Sequence, residues 1–406
     1  MASSPLGNNN DDFNNENESS KKKQTVCVIG AGISGLSAAY LLHQSNTFAV
    51  TVYESEPTAG GHALTREKSK HAEELDVDLG FQVFNLTTYP HLVGLFEELR
   101  VKHEQSDMSF SLQSERTEWG SLGLSGIFAQ KRNLINPKFW NMIREILKFK
   151  KVKHDVLSGS KKEYWETKTL GEYLRENGYS DYFRDHYVLP MCAAIWSCND
   201  KDALGFPLKP LITFWANHHL LEIFERPVWR VVKGRSKAYV EAVLKALPDG
   251  CVKTGRYVHT VHRYFDDASK SRIKVKTTET KKAATGEQTK EKFDHVIFAC
   301  HAHQALAMIG KNATEKELEI LSNFRTTRNE VVLHDDPQFM PKNRSAWASW
   351  NCKSIGKKGE NDSVCVTYWV NLLQNLPKGA KDVFVTLNPT EKIDEERVEF
   401  KKYLGH

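Results

Sequence analysis

A chain of 406 residues exceeds a single typical domain, so two packed lobes are expected. Apolar residues at 40% and aromatic residues at 10% suit a globular protein with a real core, and a formal charge of +5 at this length does not imply nucleic acid. Seven cysteines, an odd number with no CxxC pair, argue against a disulfide framework or structural zinc and fit reduced cytosolic thiols.

Residues 1–24 are rich in Asn, Ser and charge and almost free of apolar side chains, the composition of a disordered leader. Lys21, Lys22 and Lys23 read as its solvated boundary, with a targeting or membrane-touching patch as the alternative. Residues 26–42 are apolar enough to mimic a signal peptide, but Gly30, Gly32 and Gly35 punctuate them and the leader is acidic and amide-rich. No stretch approaches the roughly twenty apolar residues that span a bilayer. The expectation is a soluble cytoplasmic protein, with peripheral membrane contact left open.

The β-branched run Thr25 to Ile29 suits a buried parallel strand. It breaks into Gly30-Ala31-Gly32-Ile33-Ser34-Gly35, and Leu36, Ala38, Ala39, Leu41 and Leu42 then read as a helix. A strand, a glycine turn and a helix start bring a pyrophosphate onto backbone N–H groups. Gly30 allows the turn, Gly32 lets phosphate approach, and Gly35 lets helix and strand pack. A second strand, Phe48 to Tyr53, ends at Glu54, where an acid holds ribose hydroxyls and repels a 2′-phosphate. NADP is thereby disfavoured; the glycines alone do not separate FAD from NAD.

Gly60-Gly61-His62 follows shortly after Glu54. The segments GAGISGLSAAYLL, YESEPTAGGHA and DVDLGFQVFN resemble the flavin-dependent amine oxidase and phytoene desaturase superfamily, whose paired glycines run along FAD. Monoamine oxidases carry Arg after those glycines; His62 is as in the desaturase-like branch. The segments TYPHLVGLFEEL, DMSFSL, FAQKRNLINPKFW, AIWSC, NHHLLEIFERPVW, SAWASWN, TYWVNLLQNLP and VTLNP are similar to the amino-terminal oxidoreductase domain of plant cyclopropane fatty acid synthases, in one order from Thr25 onward.

The resemblance implies an α/β fold: a Rossmann-like FAD-binding domain, split in sequence, with a mixed helical and sheet substrate domain. The implied division is a leader at 1–24, FAD-binding parts at 25–90 and 227–310, a helical cap at 91–226 and a substrate-domain sheet at 311–406. The expected cofactor contacts are Gly30, Ala31, Gly32, Ser34, Gly35, Tyr53, Glu54, Ser55, Gly60, Gly61, His62, Gly80, Phe81, Gln82, Val258 and Ala299. The family closes with a segment of the type GAYxGYGFHEDG, which again meets FAD. This chain ends at Phe400-Lys401-Lys402-Tyr403-Leu404-Gly405-His406, so the resemblance implies a truncated product or weaker FAD binding.

Leu75 to Phe84 alternates like a strand and turns at Gly80, with its backbone near the flavin by resemblance; otherwise it is a half-buried strand with aspartates facing water. From Tyr89 to Arg226 the pattern is mainly helical. Phe139, Ile143, Ile146 and Leu147 fall on one helical face, and Arg144, Lys148, Lys150, Lys151 and Lys153 surround it. Such a helix packs on its own core or lies on an anionic membrane. Trp196 and Ser197 are candidates for the substrate-cavity wall, with a plain core Trp as the alternative. His218-His219 and His301-Ala302-His303 lack a third ligand at metal spacing, so no metal is expected; the second pair reads as strand-like, with both imidazoles on one face. No Gly-x-Ser-x-Gly elbow is present.

Val228 to Leu247 reads as strand, turn and helix re-entering the dinucleotide domain. The next strand carries Val258, Ile273 to Thr278 forms a hairpin excursion, and Phe293 to Cys300 is a buried strand carrying Ala299. Residues 311–390 supply strands with core aromatics, among them Trp347, Trp350, Tyr368 and Trp369. The expected activity is FAD-dependent, two-electron oxidation of a small or acyl-lipid substrate, with no nameable general base. A non-catalytic flavoprotein-like module accessory to lipid modification is the competing class, and an NAD dehydrogenase leaves Gly60-Gly61 without a role.

Overall fold

Val26, Cys27, Val28 and Ile29 are all buried, as a strand covered on both faces requires. In the computed structural model, which describes residues 22–405 except 116, 160, 197, 223–225, 266–270, 280–287, 325 and 355–364, they form β1, Gln24–Ile29. It runs parallel to β2, Phe48–Tyr53, on one side and to strand His295–Phe298 on the other, with Val252–Lys253 beyond β2. Helix α1, Ile33–Gln44, packs with helix Lys237–Ala246 through Leu36, Ala39, Tyr40, Tyr239 and Val243. The opposite side is covered by the antiparallel strands Tyr257–Phe265, Ser271–Thr278 and Thr289–Phe293, through Tyr53, Val261, Val275 and Phe293. The expected buried strand 293–300 is thus two strands serving two sheets, divided at Asp294, whose carboxylate accepts from Thr25 N–H at 2.8 Å.

A second, seven-stranded sheet orders its strands Val398–Gly405, Arg328–His334, Phe384–Leu387, Cys365–Trp369, Trp350–Lys353, Phe110–Gln113 and Glu118–Gly120. One face is apolar: Leu112, Trp119, Leu333, Cys352, Val366, Tyr368, Val385 and Leu387 meet the helical region's Phe139, Phe149, Trp165, Phe183 and Trp215. The other face carries a polar row across five strands. Ser111 Oγ donates to Asn351 Oδ1 at 2.7 Å, Asn351 Nδ2 donates to Thr367 O at 3.1 Å, the Thr367 and Thr386 hydroxyls meet at 2.9 Å, and Thr386 Oγ1 meets His334 Nε2 at 2.6 Å. All five are buried, under a layer that includes Phe339, Met340 and Trp347.

The region after Tyr89 is mainly helical but also carries strands: that of Leu112 pairs with Trp350–Lys353, far away in sequence, and that of Trp119 pairs with the strand of Leu112. Strand Trp229–Val232 pairs with Phe84–Asn85 and His103–Gln105, and Val232 shares a buried cluster with Val28 and Leu36 of the parallel sheet and its helix. Helix Pro137–Phe149 starts at a cap where Asn136 Oδ1 accepts from Lys138 N–H at 3.0 Å. Its buried face carries Phe139, Met142 and Phe149, with Ile143 and Ile146 partly covered, whereas Leu147 faces solvent. Of the face weighed as membrane-lying, Phe139, Ile143 and Ile146 thus pack on the core and Leu147 does not. Downstream, a π turn at Arg184–Val188 precedes helix Leu189–Trp196; Pro190 lacks the N–H that would continue an α ladder there. Among the described residues, no helix is long and apolar enough to cross a membrane.

Candidate functional site

The chain leaves β1 at Gly30, where φ is +102°. A Cβ there would lie 2.5 Å from the Ala299 carbonyl oxygen, and one at Gly35 only 1.8 Å from the Gly30 carbonyl oxygen. Both positions are glycine because backbone lies against backbone. Gly60 N–H donates to Ala31 O at 2.8 Å, and a Cβ on Gly61, with φ +59°, would stand 3.0 Å from Gly32 Cα. The second glycine pair thus closes on the first loop. Gly32 differs: its φ is −74°, and an added Cβ would meet only Gly61 Cα, at 3.9 Å. Neither strain nor internal crowding excludes a side chain there, so the glycine keeps space open outside the loop. Gly32 caps α1, which has no side-chain cap and no acid in its first turn; its start retains the positive end of the helix dipole. Ser34 is exposed at that end.

Glu54 is buried at the end of β2. Its Oε2 accepts from Ala31 N–H at 2.7 Å, and its Oε1 accepts from Glu56 N–H at 2.9 Å and Ser55 Oγ at 3.2 Å. A carboxylate has about four lone-pair sites, so acceptor capacity remains on Oε2 for a hydroxyl. The group also braces the glycine loop, a role absent from the sequence reading. The neighbouring Tyr53 turns its hydroxyl away from the loop, donating to Glu291 behind the sheet, while its carbonyl accepts from Gly30 N–H at 2.8 Å. Arg256 N–H donates to Glu54 O at 2.8 Å, and Val258 lies two residues beyond Arg256 at the start of its hairpin. Ala299 N–H donates to Ile29 O at 2.8 Å, beside Gly30.

The Gly80 turn sits directly under His62: a Cβ on Gly80 would lie 2.2 Å from the His62 carbonyl oxygen, which accepts from Phe81 N–H at 2.7 Å. The Phe81 and Gln82 side chains are engaged inside the protein. Phe81 packs against Phe84 and Tyr239, and Gln82 Oε1 accepts from Gln374 Nε2 at 2.9 Å. Asp78, read as water-facing in one alternative, is buried instead. It accepts from Thr65 Oγ1 at 2.6 Å, Ser236 N–H at 2.8 Å and Ser236 Oγ at 2.7 Å. Burial pushes its pKa up, against these donors and the nearby Arg235. Sequence reasoning missed this node, which the structure marks with Arg235 at φ +73° in the turn before Ser236.

His62 Nε2 lies 2.9 Å from Gly405 O, so strand Val398–Gly405 links the large sheet to the glycine loop. The rings of His62, His301 and His303 follow one another at 6.3 and 5.7 Å. Burial first, then His62 and His303, pulls the His301 pKa down. His301 and His303 sit at the start of helix Ala302–Ile309, not on a strand as expected. Among the described residues no group of His, Cys, Asp or Glu is disposed to hold a metal. Burial pushes the Cys300 thiol up to about 11, which leaves no thiolate beside the loop at neutral pH.

Toward the helices, the large sheet presents Trp350 against Tyr368, ring centroids 4.6 Å apart, and Trp119 stacked with Tyr187 at 6.4 Å. Among the described residues, the buried indole N–H groups of Trp119 and Trp350 find no hydrogen-bond partner. Trp196 is partly buried, its ring against Phe206, Phe214 and Trp215. Ser197 lies outside the described residues.

No curated protein matches the sequence. Solved structures do resemble the fold. Cyclohexylamine oxidase from Brevibacterium oxydans superposes with a TM-score of 0.66 at 13% identity, covering 95% of this chain and 85% of that one. A CLA-producing fatty acid isomerase from P. acnes gives 0.60 at 12%, covering 94% and 85%. Putrescine oxidase bound to putrescine gives 0.57 at 14%, covering 90% and 75%. Residues 33–404 match the family of flavin containing amine oxidoreductases, which supports the expected FAD cofactor and α/β fold. With the match spanning nearly the whole chain, from the start of α1 to the last strand, the protein belongs to that family.

Proposed function

We propose that this chain is an FAD-dependent oxidoreductase that removes two electrons from a small or lipid-like substrate. The observation that carries the reading is Gly32, a glycine that neither backbone strain nor internal packing requires, at the uncapped start of α1 and opposite Gly61. Room for a phosphate and a dipole to receive it coincide there. Gly30, Ala31, Gly32, Ser34 and Gly35 take the pyrophosphate, Glu54 with Ser55 takes the ribose hydroxyls, and the 255–258 turn approaches the adenine side. Gly60, Gly61, His62 and the Gly80 turn follow the cofactor toward its ring, and residues 25–90 and 227–310 form its domain.

Bound flavin would supply the electron sink, and the protein's part is placement and dryness. The apolar face of the large sheet, with the helices over it, excludes water. The buried indole N–H groups of Trp119 and Trp350 stand as donors toward a polar end of the substrate. Two observations support a lipid-like substrate, this apolar face and a fold neighbour described as a fatty acid isomerase, and the resemblance of segments to plant cyclopropane fatty acid synthases points the same way. Purified protein should show flavin bands and release FAD on denaturation, identified by mass, and acyl lipid should bleach those bands without oxygen. A folded, colourless protein that ignores added FAD overturns the reading; bleaching by amines but not lipids overturns the substrate class.

A further inference from the structure

The helical region carries an apolar patch facing solvent. Leu124 and Ile135 are 74% and 86% exposed, and Leu134, Trp140 and Leu147 are each about half exposed. They are held as one surface. Phe128 N–H donates to Leu124 O at 3.0 Å, the Phe128 and Trp140 rings lie 5.6 Å apart, and the Trp140 indole N–H donates to Leu134 O at 2.9 Å. The outer stripe of helix Pro137–Phe149 continues it: Trp140, Arg144 and Leu147 recur at helical spacing, and Lys151 follows just beyond the helix. The inner face of the same helix is spent on the core, and among the described residues nothing covers the outward part of Trp140 or Leu147.

The charge around the patch is one-sided. From Leu122 to Lys153 the chain has eight Lys and Arg and a single acid, Glu145, which is buried and accepts from Ser180 N–H at 2.7 Å. Lys150 and Lys153 are paired with Glu222, but exposed Lys131, Lys138 and Lys151 make no ion pair among the described residues.

We propose that this surface docks onto an anionic phospholipid bilayer, with Leu124, Ile135 and Trp140 entering the headgroup boundary and Lys131, Lys138, Arg144 and Lys151 meeting lipid phosphates and carboxylates. An indole tied at its N–H with its ring outward suits the interface, protruding Leu and Ile supply burial, and unpaired cations supply attraction. A second copy of the same face would set these cations against one another. The proposal rests on surface geometry and not on the flavin reading, so the two fail separately.

Flotation of the full chain tests it with vesicles of phosphatidylcholine alone or phosphatidylcholine with phosphatidylserine. Binding is expected only with phosphatidylserine, and should vanish when salt shortens the Debye length to about 3 Å. Lys131→Gln and Lys138→Gln should each weaken it about fivefold, and Ile135→Ser about tenfold, with unfolding midpoints unchanged because these side chains are exposed. No flotation on either vesicle, flotation unaffected by these variants, or a dimer that Ile135→Ser dissolves would each overturn the proposal.

Discussion

The two large sheets bury their chains in opposite ways. Around the parallel sheet, backbone lies on backbone: Gly30 against Ala299, Gly35 against Gly30, Gly60 and Gly61 against the first loop. The seven-stranded sheet instead buries side-chain polar groups in a row, from Ser111 through Asn351, Thr367 and Thr386 to His334. One region tolerates no added atom; the other tolerates no missing partner or added proton. The sharpest test of the first statement is Gly35→Ala, whose Cβ would sit 1.8 Å from a backbone oxygen that cannot swing away. It should cost more than about 3 kcal/mol in chemical denaturation. Gly94→Ala in helix Pro90–Glu98, where nothing lies within 4 Å, should stabilise by about 0.5 kcal/mol or more. Equal effects of the two would erase the distinction.

His334 probes the second region. Its Nδ1 accepts from Asp336 N–H at 3.1 Å, so the neutral ring directs its Nε2 proton at Thr386 Oγ1. A second proton would face a donor in a site with no exposure. Burial lowers its pKa to about 4, opposed by Asp335 and Asp336 and reinforced by His71. A depressed folded value means stability is complete above the unfolded pKa of about 6.5 and is lost as pH falls toward 4, about 3 kcal/mol in all. His334→Gln should flatten that acid limb in unfolding measured from pH 7 to pH 4. An unchanged limb would assign it to other groups.

The same contrast explains what could be read before the structure. The loop from Thr25 to Glu54 is local: strand, glycines, helix and acid fall within thirty residues, and each residue type has one steric or electrostatic reason. The polar row joins Ser111 to Asn351, 240 residues apart, and no periodicity in either segment announces the partner. The bond of Tyr53 to Glu291 is hidden for a related reason, since adjacent strand residues point to opposite sides and Glu291 lies on a distant hairpin. Asp78 escaped because its donors, Thr65 and Ser236, come together only in three dimensions. Asp78→Asn keeps the shape but turns an amide N–H₂ toward Ser236 N–H, and should cost about 2 kcal/mol, read as a lower denaturant midpoint. A neutral outcome would mean that the raised pKa already keeps this carboxyl protonated.

Glu54 lies where the two modes meet, a buried side chain serving a backbone loop. Glu54→Gln retains one carbonyl oxygen, which stays with Ala31 N–H, while its amide faces Glu56 N–H, which turns to solvent at the loop's rim. Stability should therefore fall by less than about 1 kcal/mol. The ribose, however, loses a charged acceptor, so FAD affinity should drop about tenfold in fluorescence titrations of the apoprotein. The ratio of the two effects is the informative quantity. If Glu54→Gln unfolds the protein as readily as Gly35→Ala while any remaining folded fraction binds FAD normally, the acid is a brace for the glycine loop and the ribose is held elsewhere.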